Sequence, residues 1–372
     1  MSPAPAKATA ARKAAAKKRV PGKAAPPKGA PADIEHRVKS CRAESPTSCE
    51  AHTRAYRTGK LIAEGFPVEK ISDYLDKRGV VVWLDLAQPT RGDLDVIVEE
   101  LGLHELAVAD ALNENQRPKL DHYEDHLFLS SYVARLDDKT AELTVSEVAA
   151  FITPRALVTV RKSPDLDLQP LLERWDGSMD NAASGVAYLL HGLLDLLVDG
   201  HFDAVQQLDE QIESLEAVLF DPQPRSRELQ RRSFEMRKSL VLLRRVVLPM
   251  REVVNALLRR DLGVVDPPMT PYYQDVYDHV LRAAEWTESL RDLVSTILET
   301  NLTLQGNRLN EVMKQLTAWA AILAVTTAVT GFYGQNVPYP GFGEKHGFYT
   351  SVIVLLVLTG GLYAGFKKRG WL

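Results

Sequence analysis

Apolar positions along the chain change their period twice. From about residue 80, short apolar runs bounded by turn residues predict strands. They are VVWLDLAQP at 81–89, HLFLSSYVARL at 126–136, VSEVAAFIT at 145–153 and ALVTVRK at 156–162. Between the first two, DLDVIVEELGLHELAVADAL has helical periodicity. The pattern predicts a small sheet with helices. From about residue 180 to the end, the apolar spacing is three and four, and the chain reads as helix.

Charge divides that helical part. Residues 195–221 carry eight acids, among them Asp195 and Asp199, and no Lys or Arg. Residues 224–261 carry eleven Lys or Arg against four acids, and FDPQPR separates the two stretches. This predicts an antiparallel helical hairpin with complementary faces, most of its charges solvated. The acidic helix is also a surface that would attract cations.

Pro271 opens a longer pattern. Val276, Val280, Ala283, Leu290, Val294, Ile297 and Leu304 follow a seam of threes and fours, with Thr287 and Asn301 filling its gaps. Carried to Tyr333, this is one helix of about 95 Å at 1.5 Å per residue. Few globular cores need such a helix, whereas membrane stalks do. No charged residue lies between Lys314 and Glu344. Residues 316–333 and 347–366 are apolar stretches of membrane-spanning length. Lys367, Lys368 and Arg369 follow the second. The positive-inside rule places the C-terminus in the cytoplasm, and two spans place the N-terminal part there too. The localisation expected is a cell membrane, crossed twice, with lipid as a partner.

The first span has two unlike faces. Asn310, Met313, Thr317, Ala320, Ala324, Thr327 and Gly331 form a small, uncharged stripe. Ala318, Ile322, Val325, Val329 and Phe332, with Trp319 beside them, form a bulkier one suited to lipid or the second span. The small stripe suits close helix packing or a narrow wet channel, which two spans can enclose only as part of a ring of subunits. At its outer end stands Tyr333-Gly334-Gln335-Asn336. Gly-Gln-Asn after a helix is an ordinary C-cap. At a pore mouth it is also a ring of neutral oxygens able to hold a hydrated Mg²⁺ without stripping its waters.

Composition narrows the remaining choices. The chain has 372 residues, 45% hydrophobic and 25% charged, with a net charge of −4. That excludes a wholly disordered chain and a protein of many spans. Residues 1–32 hold eight Lys or Arg and no acid, so residues 1–50 are expected to form a disordered, solvated basic tail, contact with anionic lipid or nucleic acid being the sharper alternatives to that reading. His36, Cys41, Cys49 and His52 fit no compact zinc-finger spacing. No glycine-rich phosphate loop, His-rich metal set or GxSxG elbow is present, so no catalytic cofactor is implied and an enzyme is not expected.

Several ordered motifs resemble the CorA-type magnesium transporters, the two-span GxN family. They are LNEVMKQLT at 309–317, GFYGQN at 331–336 and FKKRGWL at 366–372, supported by QRPKL at 116–120, LPMREVV at 248–254 and PYYQDVYDH at 271–279. The resemblance covers about residue 80 to 372. It implies a funnel-shaped homopentamer with an α/β cytoplasmic domain, a long stalk helix and two C-terminal transmembrane helices. The expected division is 51–180 for the α/β domain and 181–270 for the helical hairpin. The stalk and first span occupy 271–333, the outer loop 334–346, the second span 347–366 and a basic C-terminus 367–372.

The resemblance further implies that Gly334, Gln335 and Asn336 form the selectivity ring. Asn310, Met313, Leu316, Ala324 and Thr327 match its pore-lining positions, with Met313 and Leu316 at its hydrophobic gate. Asp275 matches an acid that binds regulatory Mg²⁺ between subunits, and Asp110 resembles its partner. Three departures bear on ion preference and regulation. Gln335 replaces the usual Met, Ala109 stands where an acid is common, and Glu344 is the only outer carboxylate. Mg²⁺ is the expected cargo and regulatory ion, and no nucleic-acid partner is expected. A Zn²⁺, Co²⁺ or Ni²⁺ transporter is the alternative within the class, and a membrane-tethered oligomeric scaffold is the alternative outside it.

Overall fold

A computed structural model describes residues 47–113, 116–137, 140–163, 166–177, 182–219, 226–335 and 337–372. His36 and Cys41 therefore lie outside the described residues, as does Asn336. The chain runs β1 (Glu50–Arg57), β2 (Lys60–Glu64), α1 (Ile71–Leu75), β3 (Val80–Ala87), α2 (Arg91–Leu101) and α3 (Glu105–Leu112). It continues with β4 (Lys119–His122), β5 (Leu127–Leu136), β6 (Leu143–Ile152) and β7 (Ala156–Arg161). Helices follow: α4 (Gln169–Gly177), α5 (Val186–Leu219), α6 (Ser226–Leu258), α7 (Thr270–Tyr333) and α8 (Lys345–Lys368).

The seven strands form one sheet in the order β2-β1-β3-β7-β6-β5-β4. Only β3 and β7 pair in parallel. Side chains alternate faces along each strand, so the sheet divides two cores. Leu84, Leu86, Phe128, Phe151 and Val158 point toward α1, α2 and α3. Trp83, Leu129, Ala150, Ile152 and Leu157 belong to the other core, with Trp175 of α4 and apolar residues of α5, α6 and α7.

Sequence pattern misses β1, β2 and β4. In β1 both faces are buried, and His52, Thr53 and Arg54 lie among the buried residues, so polarity does not report burial there. Arg54 is held by Glu64 and Asp176, each at 3.2 Å. His52 lies opposite Asp85 of β3, with Nδ1 3.6 Å from its carboxylate. Asp85 is also bound by Arg161 (Nη2 at 2.7 Å) and accepts from Thr159 Oγ1 at 2.7 Å. Burial alone would raise the Asp85 pKa. The adjacent His52 ring, the Arg161 charge and hydrogen bonds, and the Thr159 hydroxyl outweigh it and hold the group below the ordinary carboxylate value. The basic tail also ends earlier than expected. Ser48 binds both carboxylate oxygens of Asp93, through its N–H and its Oγ, each at 2.7 Å.

Helices α5 and α6 flank α7. The predicted seam is buried from Val276 through Val280, Ala283, Thr287, Leu290, Val294 and Ile297 to Asn301; Tyr273 extends it at the start, and Leu304, expected at its end, is only half-buried. It packs in a core shared with Leu208, Ile212, Leu240, Leu243 and Val247 of the two shorter helices. Several of the hairpin's charges reach beyond it. Asp195 and Asp199 both bind Arg174 of α4, and Arg244 reaches Glu288 of α7. The acids expected to attract cations are thus partly neutralised from the α/β side.

Candidate functional site

The outer half of α7 and the antiparallel α8 are the only two described helices with spans apolar and long enough to cross a membrane. Of α7, Ala318 and Ile322 are buried against α8, and Thr326 Oγ1 lies 3.4 Å from Thr359 Oγ1. Trp319 and Phe332, which the sequence grouped with this face, are exposed instead. Asn310, Met313, Thr317, Ala320, Ala324 and Thr327 are also exposed. At 100° per residue, their stripe points about 150° away from Ala318 and Ile322. Leu316 is exposed beside it.

The threonine hydroxyls have a defined polarity. Thr327 Oγ1 donates to Leu323 O at 2.9 Å, and Thr330 Oγ1 donates to Thr326 O at 3.0 Å. Each hydroxyl hydrogen is spent inside the helix, so the oxygen lone pairs remain outward. Such a surface accepts hydrogen bonds from the water of a hydrated cation and offers no fixed charge to trap it.

Gly334 ends α7 at φ −84°, within the right-handed region. Its N–H donates to Thr330 O at 2.9 Å, and a Cβ there would sit 3.0 Å from the same oxygen. The glycine is therefore not a left-handed cap; it keeps the helix end narrow. Gln335 is exposed directly after it. The outer loop folds over itself through edge contacts of Tyr339 with Tyr333 and Phe342. Gly341 (φ +91°) meets Gly347 so closely that a Cβ on Gly347 would overlap the Gly341 carbonyl. Glu344 is paired with His346 Nε2 at 2.7 Å.

The two candidate regulatory acids occupy separate places. Asp275 is exposed on the second turn of α7, 3.6 Å from His279 Nδ1. Asp110 on α3 binds Lys119 Nζ at 2.7 Å, and the same ammonium binds Asp121 at 2.7 Å. Burial would lower the Lys119 pKa, but the two carboxylates prevail and raise it, so this cation is fixed. Among the described residues, no three His, Cys, Asp or Glu side chains converge to hold a metal. Lys119, within QRPKL, is a charge that spacing alone does not tie to Asp110; it stands nine residues after it in the chain.

A family model described as CorA-like Mg²⁺ transporter protein matches residues 78–368. The chain belongs to the CorA-like Mg²⁺ transporter family. The cobalt/magnesium transport protein CorA of Thermotoga maritima is 32% identical over 354 residues, covering 91% of this chain and all of that one. The zinc transport protein ZntB of Pectobacterium carotovorum is 24% identical over 269 residues, covering 72% of this chain and 80% of its own. In fold, the chain is similar to the complete CorA magnesium transporter of Methanocaldococcus jannaschii. The TM-score is 0.68 at 19% identity, over 86% of this chain and 98% of that one. The architecture is that of full-length CorA: an α/β domain, a long helix and two C-terminal apolar helices. CorA-family proteins are membrane transporters rather than enzymes.

Proposed function

We propose that this chain forms a homopentameric divalent-cation channel that carries Mg²⁺ into the cytoplasm, with both termini on the cytoplasmic side. One observation carries the reading. Between Asn301 and Ala318, α7 has no buried residue, yet Leu302, Leu309, Val312, Met313 and Leu316 stand there exposed. A helix entering a membrane from water does not leave that much apolar surface bare. Further copies around an axis would cover it and bring the uncharged stripe to the centre. In this arrangement Gly334, Gln335 and Asn336 form the outer ring, and Met313 and Leu316 close the inner end by excluding water. Thr317, Ala320, Ala324 and Thr327 line the path between, with Asn310 below the gate. The funnel shape follows from the three-helix packing, which widens each protomer away from the membrane.

Mg²⁺ acts here as cargo and as regulator. Asp110 of one subunit and Asp275 of its neighbour repel in the absence of a cation, and a bound Mg²⁺ bridges them and favours the closed ring. Glu344, the only outer carboxylate, raises the cation concentration near the entrance. Mg²⁺ uptake into proteoliposomes tests the reading. Asn336→Ala removes the Asn336 amide oxygens from the outer ring and is expected to abolish uptake while the oligomer survives. Wild-type flux in a pentameric mutant would refute it.

Gln335 favours a second reading. An amide replaces the thioether of the usual Gly-Met-Asn, and relatives include zinc transport proteins. Zn²⁺, Co²⁺ or Ni²⁺ would then be the preferred cargo. Uptake of each ion, with and without a pH gradient, separates the two.

A further inference from the structure

We infer that the cytoplasmic end of the two-helix hairpin is a binding surface for anionic glycerophospholipid headgroups. The Thr326–Thr359 contact fixes the relative height of α7 and α8. Counting inward at 1.5 Å per residue, Trp319 on α7 and Phe366 on α8 both lie about 10 Å from that contact. Trp371 folds back at this level: its ring stacks on Phe366 with centroids 5.5 Å apart, and its backbone N–H donates to Phe366 O at 2.9 Å. Two indoles therefore sit at one depth, on adjacent helices, as amphipathic rings do at a membrane boundary.

The cations lie just inside that level. Lys367, Lys368 and Arg369 are all exposed, and none of them forms an ion pair with a described residue. Lys367 Nζ lies 5.9 Å from the Tyr363 ring centroid, so its stem runs back along α8 toward the apolar zone. On α7, Lys314 is at similar depth and is paired with Glu311 at 2.9 Å. The band thus holds four cations and one acid, edged by two tryptophans. A phosphodiester headgroup fits it chemically, because its charge meets the cations and its glycerol and upper chain meet the indoles. A zwitterionic headgroup meets the same indoles but gains much less from the cations.

The test uses the full chain in mixed micelles with lipids brominated on their acyl chains. Bromine quenches only nearby indoles. Of the five tryptophans, Trp83 and Trp175 are buried in the α/β domain and Trp286 packs on the stalk about 50 Å along α7 from Trp319, so quenching reports mainly on Trp319 and Trp371. Brominated phosphatidylglycerol is expected to quench at lower mole fraction than brominated phosphatidylcholine, by at least about threefold. The preference should fall with added salt. The triple variant Lys367→Gln/Lys368→Gln/Arg369→Gln should lose it, at roughly fivefold per cation removed as an upper limit. The charge-keeping variant Lys367→Arg/Lys368→Arg/Arg369→Lys should retain it, which guards against a misinserted triple variant. Equal quenching by both lipids in wild type at low salt would overturn the inference. So would a preference that survives the triple variant. If the cations instead face acids of a neighbouring copy, no headgroup preference appears and the triple variant weakens the oligomer, which also overturns it.

Discussion

Lys119 offers the sharpest test of the regulatory reading. Its ammonium is 2.7 Å from both Asp110 and Asp121, with its side chain only 32% exposed. A divalent ion bound to Asp110 would lie about 5 Å from that charge. At a water-like dielectric, a unit charge and a double charge at this distance repel by about 1.7 kcal/mol. Salt screening trims this, and the partial burial of the site enlarges it. Lys119→Gln removes the repulsion and keeps a polar side chain of similar length. The concentration of Mg²⁺ that half-protects the stalk from proteolysis is expected to fall about tenfold. The lost ion pairs are largely solvated, so the stability cost should stay below about 1 kcal/mol. An unchanged or higher half-protecting concentration, with normal assembly, would refute the idea that Lys119 competes with Mg²⁺ at Asp110. Flux at saturating cytoplasmic Mg²⁺ should stay suppressed, because the outer ring and gate are untouched.

Other outcomes follow from the same geometry. Met313→Gly should make the pathway leak and lose part of its sensitivity to cytoplasmic Mg²⁺, read as dye-reported flux; unchanged flux at normal expression would remove Met313 from the gate. Asp275→Lys should place a fixed cation at the interface and weaken proteolytic protection by added Mg²⁺, whereas an acid that serves only the dipole of α7 leaves that protection intact. Arg161→Met strands the buried Asp85 carboxylate and should cost about 3–5 kcal/mol in denaturant titrations. Its sign with pH is distinctive. In the wild type the Asp85 pKa is depressed, so its contribution is full above the ordinary carboxylate value and is lost as pH falls through the folded value. In the variant, unpaired burial raises it, and the stability gap between the two proteins should narrow as pH falls from about 8 to about 5.

The legibility of this chain depends on whether polarity and burial agree. They agree through most of β3, β5, β6 and β7, where apolar residues dominate both faces of a covered sheet around a few buried polar groups such as Asp85, Glu147 and Arg161. They agree in α7, whose seam from Val276 to Ile297 is buried as its period requires. They disagree in β1, where EAHTRAYR looks like surface and is not. There the sheet buries Arg54 and His52 beside carboxylates from other strands and helices, partners that local sequence cannot announce. The stripe from Asn310 to Thr327 was readable from spacing. Which way it faces was not, because that depends on the face α8 takes. The Asp110–Lys119 pair had the same limitation: two residues on different elements met only through the turn into β4.

Distance constrains how the two ends of α7 communicate. Asp275 and Met313 are separated by about 57 Å of unbroken helix. Hydrogen bonding along the helix makes it stiff, so a change at Asp275 reaches Met313 as a tilt or bend of the whole rod. Its lower part is clamped by α5 and α6 as far as Asn301, and its upper part is held by α8 from Ala318. Of the sixteen residues between, 302–317, none is fully buried, and Leu304 at the start of the segment packs against the core. In the proposed ring, that is the segment on which neighbouring copies would act most directly, and it contains both residues of the proposed gate. A ligand bridging subunits near Asp275 would alter how the clamped parts lean, and the loosely held segment is where that lean would change the spacing between copies. Interfaces of this kind switch between discrete packings more readily than they deform. The proposed gate would thus stand where the chain itself supplies the least support.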